Sequence, residues 1–353
     1  MTLPGDNVAG VSTHLPRSVT IRRGDQNDEQ ATFEVMRRAM GFEMSWPQHI
    51  SARRHMRTSP NSSYWVAEDN PRVGRHRIVG YAHSMVRDAV WQLTEFFVLP
   101  SHHRMGIGGA LLNLCIQDGD EAGAKRRFVL ASHHPSADAL YIRRAHCLPR
   151  VPMLLVAGQS GALRLPAGTA PVIDSVAPPD TRNLQPASAV TGGELLVAQP
   201  ILPEEYILNE INRLDYQVLG YTRTAEHRHW INENGGPEGN ARLFRYTEGR
   251  HAGEFAGYCY YGKYSSGPAL CYNTADLPRV ITHVLSLRRR PITGITGLMD
   301  SAEPYWAMSG TNDTVLKWMI NCGWNIVYHY LYMSSEPPQG IDQYVCHNPL
   351  HFF

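Results

Sequence analysis

The sequence has almost no surplus charge of either sign: 33 Lys and Arg stand against 32 Asp and Glu, a net charge of +1. That leaves no basic field for nucleic acid and no acidic tail for a cationic partner. Long apolar runs are missing too. No stretch approaches the ~20 residues of a membrane-spanning helix, and Asp6, His14 and Arg17 interrupt the amino-terminal segment where a secretory leader would need an unbroken apolar core. The six cysteines (Cys115, Cys147, Cys259, Cys271, Cys322, Cys346) include no Cys-x-x-Cys pair, so they read as packed thiols of a reducing cytoplasm rather than a disulfide framework. Two histidine pairs, His102-His103 and His133-His134, would each point to opposite faces of a strand, and no metal site is expected from them. These absences leave a cytoplasmic protein whose partner is a small molecule rather than nucleic acid or membrane.

At 353 residues, with 43% hydrophobic and 18% charged residues, the chain has the make-up of a globular protein of two domains. One local pattern stands out. Phe96-Phe97-Val98-Leu99-Pro100 is an apolar run stopped by proline, and His103-Arg104-Met105-Gly106-Ile107-Gly108-Gly109-Ala110 then opens a segment with helical spacing. That is a strand, a tight turn and the first turn of a helix, whose free backbone N–H groups form a site for a phosphate-bearing ligand. Gly106 and Gly108, lacking Cβ atoms, allow close approach to the main chain. The turn lacks the Lys-Ser/Thr ending of a P-loop and the spacing Gly-x-Gly-x-x-Gly.

Val98-x-Pro100 followed by His103-Arg104-Met105-Gly106-Ile107-Gly108 resembles motif A of the GCN5-related N-acetyltransferase (GNAT) superfamily, Arg/Gln-x-x-Gly-x-Gly/Ala after a strand ending in Val-x-Pro. His103 stands where the family usually has Arg or Gln, and Arg104 where a further Gly is common. Downstream, Lys125–Ser132, with Arg127-Phe128-Val129-Leu130-Ala131 at its centre, reads as a strand and Ser136–His146 as a short helix. The latter resembles the family's Asn-x-x-Ala-x-x-Phe-Tyr segment, with His134 in place of Asn. The resemblance implies a mixed α/β (α+β) fold and acetyl-CoA as co-substrate, with no metal. Phe97, Val98, His103, Arg104, Met105, Gly106, Ile107, Gly108, Gly109, Ala110, Ala137 and Tyr141 would contact it.

The second half repeats the layout. Leu195–Gln199, Glu204–Leu214 and the hairpin Arg242–Thr247 with Gly253–Gly262 match the first strands and helix, and Gly80-Tyr81 is echoed by Gly257-Tyr258. Asn312 to Trp324, with the strand Ile326–Tyr332, resembles the Asn-x-x-Ala segment and its closing strand. The phosphate loop is absent: its place reads Ala275-Asp276-Leu277-Pro278-Arg279, and Met319 occupies the tyrosine position. The expected organisation is two tandem GNAT-like domains, each a mixed, mostly antiparallel sheet flanked by helices. Residues 1–157 are the catalytic copy, 158–191 a Pro/Gly/Ala-rich surface linker, and 192–353 a degenerate copy whose tail has no periodicity and ends in Leu350-His351-Phe352-Phe353, expected to dock in a groove.

Acyl transfer from a thioester to an amine needs an uncharged amine, a donor for the thioester carbonyl and a proton for the leaving thiolate. By resemblance, a main-chain N–H of Phe97 or Val98 serves the carbonyl and the Tyr141 hydroxyl serves the thiolate. Glu95, in a segment resembling the Leu-Glu-Asp-Phe-Phe-Val of spermidine/spermine acetyltransferases, is the candidate base or ammonium holder; a solvent-facing Glu is the alternative. Glu43, His133, Phe42, Trp46 and Trp91 are candidates to line the acceptor pocket. The expected activity is N-acetyl transfer to a primary amine of a small molecule by a monomer or homodimer. The alternatives are an acyl-CoA-binding sensor and an acyltransferase with a longer or aminoacyl donor.

Overall fold

The computed structural model describes residues 15–41, 53–70, 77–132, 134–175, 194–234, 239–261, 266–287 and 305–346. After β1 (Val19–Arg23) the chain turns at Asp25, whose side chain accepts from Asn27 N–H while the Asp28 carboxylate accepts from Asp25 N–H. This reciprocal cap satisfies two otherwise orphaned donors and starts α1 (Glu29–Met40). The helix ends at Met40, where Gly41 takes a φ of 75°. A short helix α2 (residues 53–58) follows, then β2 (Ser62–Asp69), β3 (Arg77–Arg87) and β4 (Val90–Val98). Next come α3 (Ile107–Glu121), β5 (Arg126–Ala131), α4 (Pro135–Leu140), a π turn (Tyr141–Ala145) and β6 (Leu148–Ala157).

The second half runs β7 (Ile173–Asp174), β8 (Leu196–Pro200), α5 (Glu205–Leu219), α6 (Thr224–Asn234), β9 (Arg242–Tyr246), β10 (Phe255–Tyr261) and β11 (Ser266–Cys271). It continues through α7 (Leu277–Ser286), β12 (Tyr305–Ser309), α8 (Asp313–Asn321), β13 (Asn325–Ser334) and β14 (Tyr344–Cys346). The strands among the described residues join one sheet in the order β1-β2-β3-β4-β5-β13-β6-β12-β14-β11-β10-β9-β8-β7.

That order contains an exchange. β13, at the end of the second half, pairs antiparallel with β5 of the first, and β6, at the end of the first half, pairs antiparallel with β12 of the second. β6 and β13 also pair with each other along their length, Leu148–Ala157 against Asn325–Ser334. Each half thus completes the other's sheet. The main apolar core runs through both halves accordingly: Phe128 stacks on Tyr332 at 5.4 Å and meets Tyr221 at 6.4 Å. The stretch expected as a surface linker is pinned over its described part. Leu163 is buried in the second half's core, and the carbonyls of Gln159 and Arg164 accept from the indole N–H groups of Trp324 (3.2 Å) and Trp318 (2.6 Å).

Both faces of β3 are covered, and its alternation sorts the helices. A Cβ on Gly80 would meet Leu111 of α3, whereas Tyr81 on the opposite face lies under the Arg53 guanidinium of α2. The corresponding glycine of the second half is more tightly confined. A Cβ at Gly257 would lie 2.1 Å from the Leu270 carbonyl oxygen and 2.7 Å from Cys271 Sγ. Gly257→Ala should therefore lower stability by about 1–3 kcal/mol through overpacking in urea denaturation, whereas Gly161→Ala, with nothing within 4 Å of its added methyl, should leave the midpoint unchanged.

Candidate active site

The site begins with a defect in β4. Its parallel pairing with β5 runs from Val90–Arg126 to Leu93–Val129 and stops there. At that point Ser84 of β3 pairs with Leu93 and His83 with Glu95, so Thr94 is an extra residue, a β-bulge. His83 Nδ1 is 2.5 Å from Thr94 Oγ1. The bulge reverses which residues face which side. Trp91 faces α3, where its ring sits over Gly119 and its indole N–H donates to the Cys115 carbonyl at 3.0 Å. Beyond the bulge Glu95 and Phe97 face α1 and α2, while Phe96 faces α3 and α4, against Tyr141 at 5.9 Å.

With β4 and β5 apart, a cleft of about 1470 Å³ opens between them. Leu99 N–H donates back to the Val79 carbonyl at 2.8 Å. By the alternation of an antiparallel ladder, the neighbouring Val98 turns its N–H and C=O the other way, into the cleft. The Val98 carbonyl there accepts from His103 Nε2 at 2.9 Å. Of the two amides expected at the thioester carbonyl, Val98 is the one that faces the opening.

The glycine loop closes one end. Arg104 and Gly106 both take left-handed backbone, with φ of 63° and 79°. Ala110 N–H, bonded to the Gly106 carbonyl at 3.1 Å, is the first in α3 to find a helical acceptor. The N–H groups of Ile107, Gly108 and Gly109 therefore remain for a ligand, at the positive end of the helix dipole and with no acid in its first turn. A Cβ on Gly108 would come within 3.2 Å of the Phe96 ring.

Of the predicted contacts, Phe97, Val98, His103, Arg104, Gly106, Gly108, Gly109, Ala137 and Tyr141 line the cleft. Met105, Ile107 and Ala110 do not: Met105 points to solvent and Ile107 is buried in the core. Tyr141 opens the π turn; burial pushes its phenol well above the usual range, so at neutral pH the hydroxyl keeps its proton. π turns of this kind often mark functional positions.

Glu95 takes a different place from the one expected. Its carboxylate is fully buried, 3.0 Å from Arg53 Nε, and accepts from the Tyr81 hydroxyl at 3.3 Å. It does not line the cleft. Burial pushes its carboxyl up, but Arg53, with Arg57 behind, outweighs this and holds it below the usual carboxylate range. Trp91 is likewise a core residue rather than a pocket wall. Glu43, Phe42, Trp46 and His133 lie outside the described residues. Sequence reasoning missed Met40, at the end of α1, and Tyr328, which arrives on the exchanged strand β13. Only the sheet order brings Tyr328 to the first half.

In the second half the equivalent parts are closed. Asp276 is buried at the start of α7, accepting from the Tyr246 hydroxyl at 2.6 Å and paired with Arg279 at 2.8 Å; a carboxylate already fills the anion position. Met319 is buried. Between β11 and β12, where a second cleft would open, lies β14, bonded to both. Its Tyr344 hydroxyl accepts from Arg223 at 2.6 Å, within a buried cluster that includes Asp215 and His227.

Residues 31–146 match the model of the acetyltransferase (GNAT) family. Solved structures similar over nearly the whole chain include a protein described as an acetyltransferase from Pyrococcus horikoshii (13% identity, 96% of each chain, TM-score 0.64). A GCN5-related N-acetyltransferase from Sphaerobacter thermophilus is similar at 14% identity over 93% of this chain and 98% of that one, TM-score 0.59. A tandem GNAT protein from the clavulanic acid biosynthesis pathway is similar at 14% identity over 90% and 99%, TM-score 0.52. No curated protein matches the chain. Residues 31–146 thus carry the match to the GNAT family, and the chain as a whole has the fold of two-domain GNAT structures. Among the described residues no helix is long and apolar enough to cross a membrane, and no cluster of His, Cys, Asp or Glu is arranged to hold a metal.

The Glu95–Arg53 pair can be tested directly. A depressed folded-state pKa contributes stability above the unfolded carboxylate value of about 4.3, and this is lost as pH falls through the folded value. Glu95→Gln should therefore flatten the acid limb of the stability profile below about pH 4.3. Arg53→Met should cost about 3–5 kcal/mol at pH 7, because it leaves a buried carboxylate without its cation. Urea denaturation across pH measures both.

Proposed function

We infer that the first half transfers an acetyl group from acetyl-CoA to a primary amine of a small molecule. The observation that carries this reading is the cleft itself. One wall holds unpaired amides of a helix start, the floor holds the inward-turned amide of Val98, and a protonated Tyr141 stands at the side. The helix start and glycine loop suit a pyrophosphate, with Ala137 and the α3 and α4 walls along the pantetheine path. The Val98 N–H is positioned to polarise the thioester carbonyl. The amine, once it has shed a proton to solvent, attacks that carbon; the new C–N bond forms as the C–S bond breaks, and Tyr141 gives its proton to the departing sulfur. Glu95 acts as a positioning residue: its ion pair with Arg53 fixes the bulge that opens the cleft. The second half, with Asp276 and β14 in place of a donor site, binds no coenzyme A.

Calorimetry should find one coenzyme A per chain. Gly108→Glu places a carboxylate at the helix start and should weaken that binding at least tenfold, about 1.4 kcal/mol. Unchanged affinity in the folded variant, or two equivalent sites, would overturn the assignment.

Screening polyamines, amino acids, aminoglycosides and amino sugars by thiol release tests the reaction. With the best acceptor, Tyr141→Phe should lower turnover about 100-fold or more and leave coenzyme A affinity unchanged. Tight coenzyme A binding with no thiol release from any amine would make the protein an acyl-CoA sensor.

A further inference from the structure

The first half's cleft has one side built in part by the second half. Its lining comes from both faces of the sheet. On the α3 and α4 face lie the glycine loop and Tyr141, together with the acids Asp120, Glu121 and Asp138. On the other face the described lining includes Ala39 and Met40 of α1, Phe97 of β4 and Tyr328 of β13.

The face on which Tyr328 lies follows from pairing. Phe128 of β5 is registered with Gln92 of β4, one residue from the Trp91 that faces α3, so Phe128 points to the α1 side. Tyr332 stacks on Phe128, and Tyr328, two strand periods before Tyr332, lies on the same side, with its ring 4.7 Å from that of Tyr330. The pairing of β13 with β5 ends at Leu331–Ala131, so Tyr328 lies beyond the end of that ladder, at the level of the cleft. Two strand spacings, about 10 Å, are the least that separates the strands carrying Phe97 and Tyr328, since β4 and β5 have already parted here. A flat ring with an apolar contact on each face needs roughly 7 Å.

We propose that Tyr328, delivered by the second half, forms with Phe97 and Met40 an apolar slot for the acceptor, and that the acceptor is a primary amine carrying an aromatic ring. The acids that would hold a second ammonium are on the opposite wall, among the groups flanking the donor. The α1-side residues named here are apolar or aromatic, with Ser132 at their edge, and Met40 adds an adaptable side chain. The degenerate copy therefore contributes a specificity residue rather than a second reaction centre.

This rests on the acetyl-transfer reading above, and the test separates the two. The full-length chain is first titrated with coenzyme A alone, then saturated with it and titrated with 2-phenylethylamine, each by calorimetry. Wild type should bind the amine, Tyr328→Ala should weaken that binding at least tenfold, and Tyr328→Phe should stay within threefold of wild type. All three should bind coenzyme A equally. In the thiol-release assay with the same amine, Tyr328→Ala should raise KM and leave kcat within threefold. Amine affinity unchanged in Tyr328→Ala would overturn the slot. Spermidine or glucosamine binding where 2-phenylethylamine does not would overturn the aromatic class. Loss of coenzyme A affinity in both Tyr328→Ala and Tyr328→Leu would overturn the specificity role in favour of a structural one. Failure of wild type to bind coenzyme A at all would instead overturn the acetyl-transfer reading on which the slot depends.

Discussion

The site depends on a single departure from regular pairing: β4 and β5 run together from Val90 to Leu93 and then part. Thr94 is the residue that makes this happen, because an extra residue in β4 redirects everything after it. The bulge turns Glu95 toward α2, where Arg53 neutralises it, and turns Phe96 toward Tyr141 and the glycine loop. A buried ion pair of this kind adds little net stability beyond an apolar alternative, yet either partner alone would be costly, so the pair fixes a geometry. The opening and the buried charge are two sides of one local rearrangement.

The second half shows what the same architecture becomes when the opening is filled from within. β14 supplies the missing hydrogen bonds of β11 and β12, and Tyr344 ties it to Arg223. Asp276 brings its own negative charge to the start of α7. Strand edges and helix ends leave unpaired polar groups that need partners. In one copy these groups face an open cleft, in the other the chain itself pairs them.

How much of this the sequence carried follows from distance along the chain. The glycine loop, the start of α3, the strand before it and the short helix at Tyr141 are each written in adjacent residues, and they lie where the spacing places them. The same holds for the loss of the loop around Pro278. Glu95 was misplaced because the face of a strand residue beyond a bulge depends on pairing with β3, which no local pattern encodes. β14 was missed because three residues in an aperiodic tail carry no strand signal; their neighbours on both sides supply it. Tyr328 was assigned to the second half's closing strand, which it is, but that strand closes the other half.

The exchange has a consequence for how the protein comes off the ribosome. The first half has its own glycine loop, its own cleft tyrosine and most of its own core by the time Ala157 is made. Its sheet nevertheless has a vacancy between β5 and β6 that only residues 325–334 fill. At roughly 5–20 residues per second, the nascent amino-terminal half waits on the order of ten seconds or more with two open strand edges, while the sequence that will seal them is still being translated.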